Sequence, residues 1–467
     1  MKITVQIILA IQFSVLSVSC VFKPDLAAIE AQLLPFPAPV VSDIQPAALF
    51  TGGGTEVQIT GENFAAGVSV KLNGEDCQIS KLVGSTKIVC LAPASAEGSF
   101  EALITGVDGK TATIGVTYDR LAYTKLSLLV GKLILPVTNS DGYFNNGDSI
   151  GATQMFVDGN LIYSADYDGN KIKSTNLANL FSQSVVGRGV NSGPDIAVAS
   201  PTLVSLSNPA CVAKSGNFIF FCLSDLAIAK MDLTSSVITL VAGRIPADGN
   251  VYLPGDPLGD NFDHIRRIFI VGTTLYVVDV DTIKKIDLLT PALTTIAGTS
   301  GAGVTADGTG AVATFLEITE AEILGNKLYV MDQDFYSGVL RVINLDPLSS
   351  YAVATVLGNA SALPGFGVEA VDGTGAAASL NNVRGISAFG TKLIIVDEYN
   401  GTRVKIRVFD PTAGSIVSVK SIATSTKHVM GSLSDKARLR SYYIRGIKYI
   451  ENYGLILGTV YGMLRVQ

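Results

Sequence analysis

At 467 residues the chain is too long for one ordinary hydrophobic core, so two domains or a repeat array are expected. Its 48% hydrophobic content would suit a membrane protein, yet beyond residue 20 no run of about 18 apolar residues escapes a charge or turn signal, which argues against a spanning helix. A net charge of −6 without any Lys/Arg cluster argues against nucleic acid, and two histidines with no tryptophan leave little material for acid–base or metal chemistry.

The first twenty residues read as an export signal. Lys2 is a minimal positive n-region, Ile3 to Leu16 an apolar stretch, and Ser17-Val18-Ser19 are small residues before Cys20. The segment resembles a lipoprotein signal, which implies that residues 1–19 are removed. Cys20 then carries the lipid that anchors the chain in the bacterial cell envelope, at the outer membrane or cell surface. Its departure is Ser17, where such signals usually carry Leu; the alternative is ordinary secretory cleavage near Ser19. Residues 20–40 continue into Pro35-Phe36-Pro37-Ala38-Pro39, whose spacing favours an extended, semi-rigid tether.

From Val41 to Asp119 short strands alternate with turns. Val57 and Ile59, and then Val68, Val70 and Leu72, place apolar side chains on one face. Gly52-Gly53-Gly54, Asn73-Gly74 and Asp108-Gly109 supply turns, and about eighty such residues suggest a β-sandwich. Once Cys20 is set aside, four cysteines remain in a compartment that permits disulfides. Cys77 and Cys90 flank Gly84-Ser85, and Cys211 and Cys222 flank Ser215-Gly216-Asn217. Of three possible connectivities the local one fits best, although Cys211 and Cys222 could equally be buried thiols.

Pro46, Gly53-Gly54-Thr55, Val57 to Phe64, Cys77, Thr86 to Cys90, Pro93 and Val116-Thr117-Tyr118 resemble an IPT/TIG domain over residues 41–119. The resemblance implies an immunoglobulin-like fold used in cell-surface receptors, adhesins and polysaccharide-acting proteins. It also implies a Cys77–Cys90 pair and no catalytic residues.

From Arg120 one theme recurs. An apolar strand leads to an Asp, a strand with Lys or Arg follows, and a third strand ends in Gly. The first element ends at Asp166, Asp225, Asp279, Asp332 and Asp397, with Thr459 in a sixth case, 53 to 65 residues apart. The third ends at Gly187, Gly243, Gly298 and Gly358, with Thr424 degenerate. The sixth third-element is displaced to the front, as Leu126 to Gly131, so the termini of residues 120–467 share one blade and close a ring. Six blades of about 58 residues are expected, with seven as the geometric competitor. Thr294 to Gly298, Ala306 to Phe315 and Leu328-Tyr329-Val330, repeated from Val371 to Asn400, resemble an NHL-type propeller. The fold class is therefore all-β, an immunoglobulin-like sandwich followed by a six-bladed β-propeller.

The chemistry is sparse. Asp-Gly-Thr-Gly at 307–310 and 372–375 lacks the alternating oxygen ligands of a calcium loop and reads as turn. The recurring Asp suits a structural cap on the tight turn that follows it, since a catalytic constellation rarely needs one group five times. His264 and His428 stand apart, no nucleophile elbow or phosphate loop is present, and neither a catalytic residue, a metal nor a cofactor is assigned. Phe218 and Phe220 read as core, whereas Tyr336, Tyr399 and Tyr442, nearer loops, are the ligand-binding candidates. The sequence thus points to a monomeric binding or adhesion module recognising a protein or glycan. The alternative is an extracytoplasmic lactonase- or lyase-like enzyme acting on a carbohydrate or envelope substrate.

Overall fold

The computed structural model describes residues 37–45, 48–119, 123, 125–131, 142–143, 151–190, 200–243, 262–290, 292–334, 338–359, 369–399, 402–425, 430–432, 437–440, 444–451, 453–460 and 462–466. The export signal, Cys20, the proline-spaced tether up to Phe36, Tyr336, His428 and Tyr442 lie outside the described residues. Those described are all-β, an immunoglobulin-like sandwich followed by a six-bladed β-propeller. No helix among them is long and apolar enough to cross a membrane.

In the sandwich one sheet runs Val40–Gln45, Glu56–Glu62, Lys87–Leu91, Gln78–Val83. The other runs Ala48–Phe50, Thr111–Asp119, Gly98–Thr105, Ser69–Leu72, Glu75–Asp76. Successive strand residues point to opposite faces, so Val57 and Ile59 are buried between exposed neighbours, as are Val70 and Leu72. Cys77 and Cys90 form a disulfide with Cα atoms 5.6 Å apart.

The propeller blades each contain four meandering strands, numbered here from the channel outward. Blade 1 is Ala152–Asp158, Leu161–Asp166, Lys171–Asn176, Phe181–Val186; blade 2 is Val212–Ser215, Phe218–Ser224, Ala227–Asp232, Ile238–Gly243. Blade 3 is Arg267–Val271, Thr274–Val278, Thr282–Asp287, Leu293–Gly298; blade 4 is Ile318–Leu324, Lys327–Gln333, Gly338–Asn344, Ala352–Leu357. Blade 5 is Asn382–Phe389, Lys392–Tyr399, Arg403–Asp410, Ser415–Ser425. Blade 6 takes Ile444–Ile450, Gly454–Thr459 and Gly462–Val466 from the end of the chain and its fourth strand, Lys125–Gly131, from the front. Leu126 faces Val466 and Leu128 faces Leu464, which is the split blade expected from the displaced repeat.

Each joint between blades holds its own apolar cluster, including the joint of blade 6 with blade 1, where Leu129, Met463 and Ile456 meet Ala152, Met155 and Ile162. Glycine permits the tightest of these contacts. A Cβ on Gly446 would lie 1.9 Å from the Thr153 carbonyl oxygen, so no other residue allows blades 6 and 1 this approach. In blade 2, Cys211 and Cys222 form a second disulfide with Cα atoms 5.2 Å apart.

Candidate functional site in the propeller channel

The six inner strands stand side by side around the axis, each beside the next, with the sixth beside the first. Their pairing to the second strands ranks their residues into layers. Three residues before the recurring Asp (or Thr459), the inner-strand partners are Phe156, Phe269, Glu322, Ser387 and Lys448. Cys211, bonded through its carbonyl to the Cys222 amide, holds this place in blade 2. The next layer is apolar: Met155, Ile268, Ala321, Ile386 and Ile447. Above it come Arg267, Glu320, Gly385 and Gly446.

These layers enclose a cavity of about 150 Å³ lined by residues from all six inner strands. Its wall is buried at Gln154, Arg267 and Glu320, and exposure rises along one strand from 6% at Arg267 to 43% at Val271. The cavity is therefore closed at the beginnings of the inner strands and opens where they end.

Polar links cross the channel at both levels. The Gln154 amide donates to the Ile268 carbonyl (2.7 Å) and accepts from the backbone N–H of Ile268 (3.1 Å) and Val212 (3.3 Å), so blade 1 holds blades 2 and 3. Arg267 of blade 3 is ion-paired with Glu320 of blade 4. Lys448 of blade 6 reaches Glu322 of blade 4 at 3.1 and 3.3 Å, spanning blade 5. Burial pushes the Glu320 carboxyl up to about 7 against the opposing pull of Arg267. Towards the closed end lie three further pairs: Arg266–Glu317 (2.5 Å), Arg384–Glu398 (2.6 Å) and Arg445–Asp168 (3.3 Å). Among the described residues no group of three or more His, Cys, Asp and Glu is placed to hold a metal ion.

The recurring Asp is structural: the expected cap on the following turn is made by Asp166 to Gly169, while Asp332 and Asp397 bond instead to the segment before the inner strand. Asp332 accepts from the backbone N–H of Leu316 and Glu317, and Asp397 from that of Asn381, residues that lead into the inner strand of the same blade. Asp166 and Asp279 hold both ends, accepting from Gly151 and Gly169 and from His264 and Val280. The basic residue of the third strand completes the unit: Lys284 on Asp279, Arg341 on Asp332, Arg407 on Asp397, the two arginines fully buried. Asp225 departs from this, half-exposed and 3.4 Å from Nδ1 of His264. Burial, then Arg266, hold His264 below its usual value.

The Asp-Gly-Thr-Gly segments are more than turns. Gly308–Thr309 and Gly373–Thr374 add a fifth strand to blades 4 and 5, while Asp307 and Asp372 accept from Arg341 and Arg407 and from the Thr355 and Ser418 amides. A second departure is Phe218, which is exposed beneath Lys230 rather than core; Phe220 is buried.

Of the tyrosines singled out by sequence, Tyr399 is described. It is half-buried at the end of its strand, near the closed end of the channel, beside Glu398. Tyr167, at the equivalent end of blade 1 under the Arg445 guanidinium, escaped notice. So did Gln154, Phe156, Phe269, Glu322 and Lys448, because the inner strands carry no shared motif.

No curated protein matches the chain. Among solved structures, an auxiliary nutrient binding protein from Bacteroides ovatus shares the fold with a TM-score of 0.55 and 14% identity, covering 93% of this chain and 99% of that one. An auxiliary nutrient binding protein from Bacteroides thetaiotaomicron (TM-score 0.52, 15% identity, 93% and 98% covered) and a protein of unknown function from the same species (0.51, 15%, 93% and 99%) are similar to the same extent. At such identity the likeness establishes fold alone. Within the chain, residues 39–119 match the family model of the IPT/TIG domain, and this module is an IPT/TIG domain.

Proposed function

We propose that the chain is an exported binding lipoprotein of the bacterial cell envelope. In this reading residues 1–19 are the signal, Cys20 the lipid anchor and 20–40 the tether. Residues 41–119 form the immunoglobulin-like module, and 120–467 an NHL-like propeller that presents its channel to a protein or glycan ligand as a monomer. The observation that carries the reading is the cavity of about 150 Å³, to which every blade contributes and which opens at one end. Small-ligand sites are concave, mostly apolar and furnished with a few fixed polar groups, and this wall has that make-up. That two fold neighbours bear the description auxiliary nutrient binding protein supports a capture role outside the cytoplasm.

An enzymatic reading draws on Glu320, a buried carboxyl pushed up to about 7 and so near the range of a general acid. Arg267 already occupies it, and the binding reading is preferred for that reason.

Detergent-purified full-length protein is expected to retain a ligand from envelope extract or a glycan pool, and Phe269→Ala to lose it. Retention unchanged by that substitution counts against the channel, and no retained ligand counts against a binding role. The anchor is checked separately by metabolic labelling with a palmitate analogue: the wild type takes label and Cys20→Ser does not. An unlabelled wild type removes the anchor from the account.

A further inference from the structure

The channel wall bears on the chemistry of what it holds. Resting on the binding reading above, we infer that the cavity takes an uncharged, hydroxyl-rich ring with an apolar face, the terminal unit of a neutral oligosaccharide. One layer of the channel carries Phe156, Phe269, Glu322, Ser387 and Lys448. Its single cation and single anion are already paired, at 3.1 Å, across the channel. Both are largely withdrawn from water, Glu322 at 11% and Lys448 at 23% side-chain exposure. The other charged pair of the wall, Arg267 with Glu320, is likewise closed on itself.

An acidic ligand entering this space would compete with Glu322 for Lys448 and leave a carboxylate facing a second negative charge in a partly dry pocket. A basic ligand would do the same to Lys448. Either exchange leaves one member of a buried pair unpaired, which is the costly outcome for such pairs. A wholly apolar ligand would strip water from the pair and return no hydrogen bond.

A hydroxyl avoids all three penalties. It accepts from Lys448, which has three donors, while donating to a remaining lone pair of Glu322, so the ion pair survives. The same layer places Phe156 and Phe269 on the wall, beside Ile268, Ile270 and Ile323. These are surfaces for the hydrocarbon face of a ring whose edge carries hydroxyls. A cavity of about 150 Å³ has room for on the order of ten waters, enough for the end of a chain rather than a folded partner.

The test is calorimetric titration of the full-length protein in detergent. Neutral gluco-, manno- and xylo-oligosaccharides are compared with polygalacturonate, with chitosan oligosaccharides and with a mixed peptide digest. A neutral oligosaccharide is expected to bind, with affinity changing less than twofold between 50 and 500 mM NaCl. Phe269→Ala and Lys448→Met are each expected to weaken it at least tenfold while the circular dichroism spectrum and melting curve of Phe269→Ala stay those of the wild type. Exclusive binding of an acidic or basic polymer or of a peptide, lost on Phe269→Ala and steeply salt-dependent, overturns the ligand class and leaves the channel as the binding site. Neutral oligosaccharide binding untouched by both substitutions overturns the site itself. Failure of every neutral oligosaccharide to bind, in a protein that still retains an envelope ligand through its channel, overturns the inference alone.

Discussion

Arg341→Met separates a structural Asp–Arg unit from an incidental contact. The guanidinium is fully buried, 4.5 Å above the Phe315 ring, and donates to Asp332 (3.0 Å), Asp307 (3.0 Å) and the carbonyls of Thr314 (2.6 Å) and Ala306 (2.5 Å). Methionine keeps much of the packing and removes the charge. Asp307 is half-exposed and water replaces its partner, but Asp332 is wholly buried and burial already holds its carboxyl above the ordinary value of 3.8. Without Arg341 the cheapest response at pH 7 is to protonate Asp332, which costs about 4 kcal/mol at about 1.4 kcal/mol per pH unit. That lies within the roughly 3–5 kcal/mol typical of a broken buried pair. At pH 5 the protonation cost falls to about 2 kcal/mol, so the gap between variant and wild type narrows by about 2–3 kcal/mol. Urea unfolding followed by circular dichroism at both pH values reads this directly, and Asp332→Asn in the Arg341→Met background is expected to regain about half of the loss at pH 7. A loss under about 1 kcal/mol, or one equal at pH 5 and pH 7, would refute the assignment of the pair as buried and charge-compensated.

Other substitutions probe other parts of the fold. Gly446→Ala sets a Cβ 1.9 Å from the Thr153 carbonyl oxygen and is expected to open the joint of blades 6 and 1, lowering the propeller melting temperature by several degrees. Gly115→Ala, with nothing within 4 Å, is the control and should leave it within a degree or two. Loss of the Cys77–Cys90 bond, 13 residues apart, in a double Cys→Ser variant should destabilise the sandwich by about 2–4 kcal/mol while leaving the propeller transition in place. Glu320 carries a pH signature. Its folded carboxyl titrates near 7 and its unfolded one near 4.5, so the native state binds more protons between these values. Its contribution is full below pH 4.5 and is lost as pH rises through 7. Glu320→Gln is therefore expected to flatten the fall in unfolding free energy across that window, measured as urea midpoints, and an unchanged slope contradicts the burial of a titrating Glu320.

The strands behind the channel wall were readable because the blade interior asks the same thing of each repeat. Leu275 to Val278, Leu328 to Met331 and Leu393 to Val396 sit buried on both faces, so an unbroken apolar run ending in Asp recurs in the sequence. The split blade was readable for the same reason, since Leu126 to Gly131 is a third-element strand with no blade of its own nearby. The inner strands were not. At one layer they carry Phe156, Cys211, Phe269, Glu322, Ser387 and Lys448, six positions with five residue types, because each meets a different neighbour across the channel. Gln154 shows why no motif search finds such a residue: its partners, Ile268 and Val212, are backbone atoms more than fifty residues away. The Lys or Arg of the third strand was visible as a recurrence, but its bond to the Asp of the preceding strand needs the cross-strand register of the folded blade.

One titration separates the channel from Tyr399 as the ligand site. A neutral oligosaccharide that binds the full-length protein is titrated into Phe269→Ala and Tyr399→Ala under the same conditions. A ligand held in the channel gives at least a tenfold loss for Phe269→Ala and less than a twofold change for Tyr399→Ala. The opposite pattern, with Tyr399→Ala abolishing binding and Phe269→Ala neutral, would place the ligand at the closed end of the channel and contradict the cavity as its site.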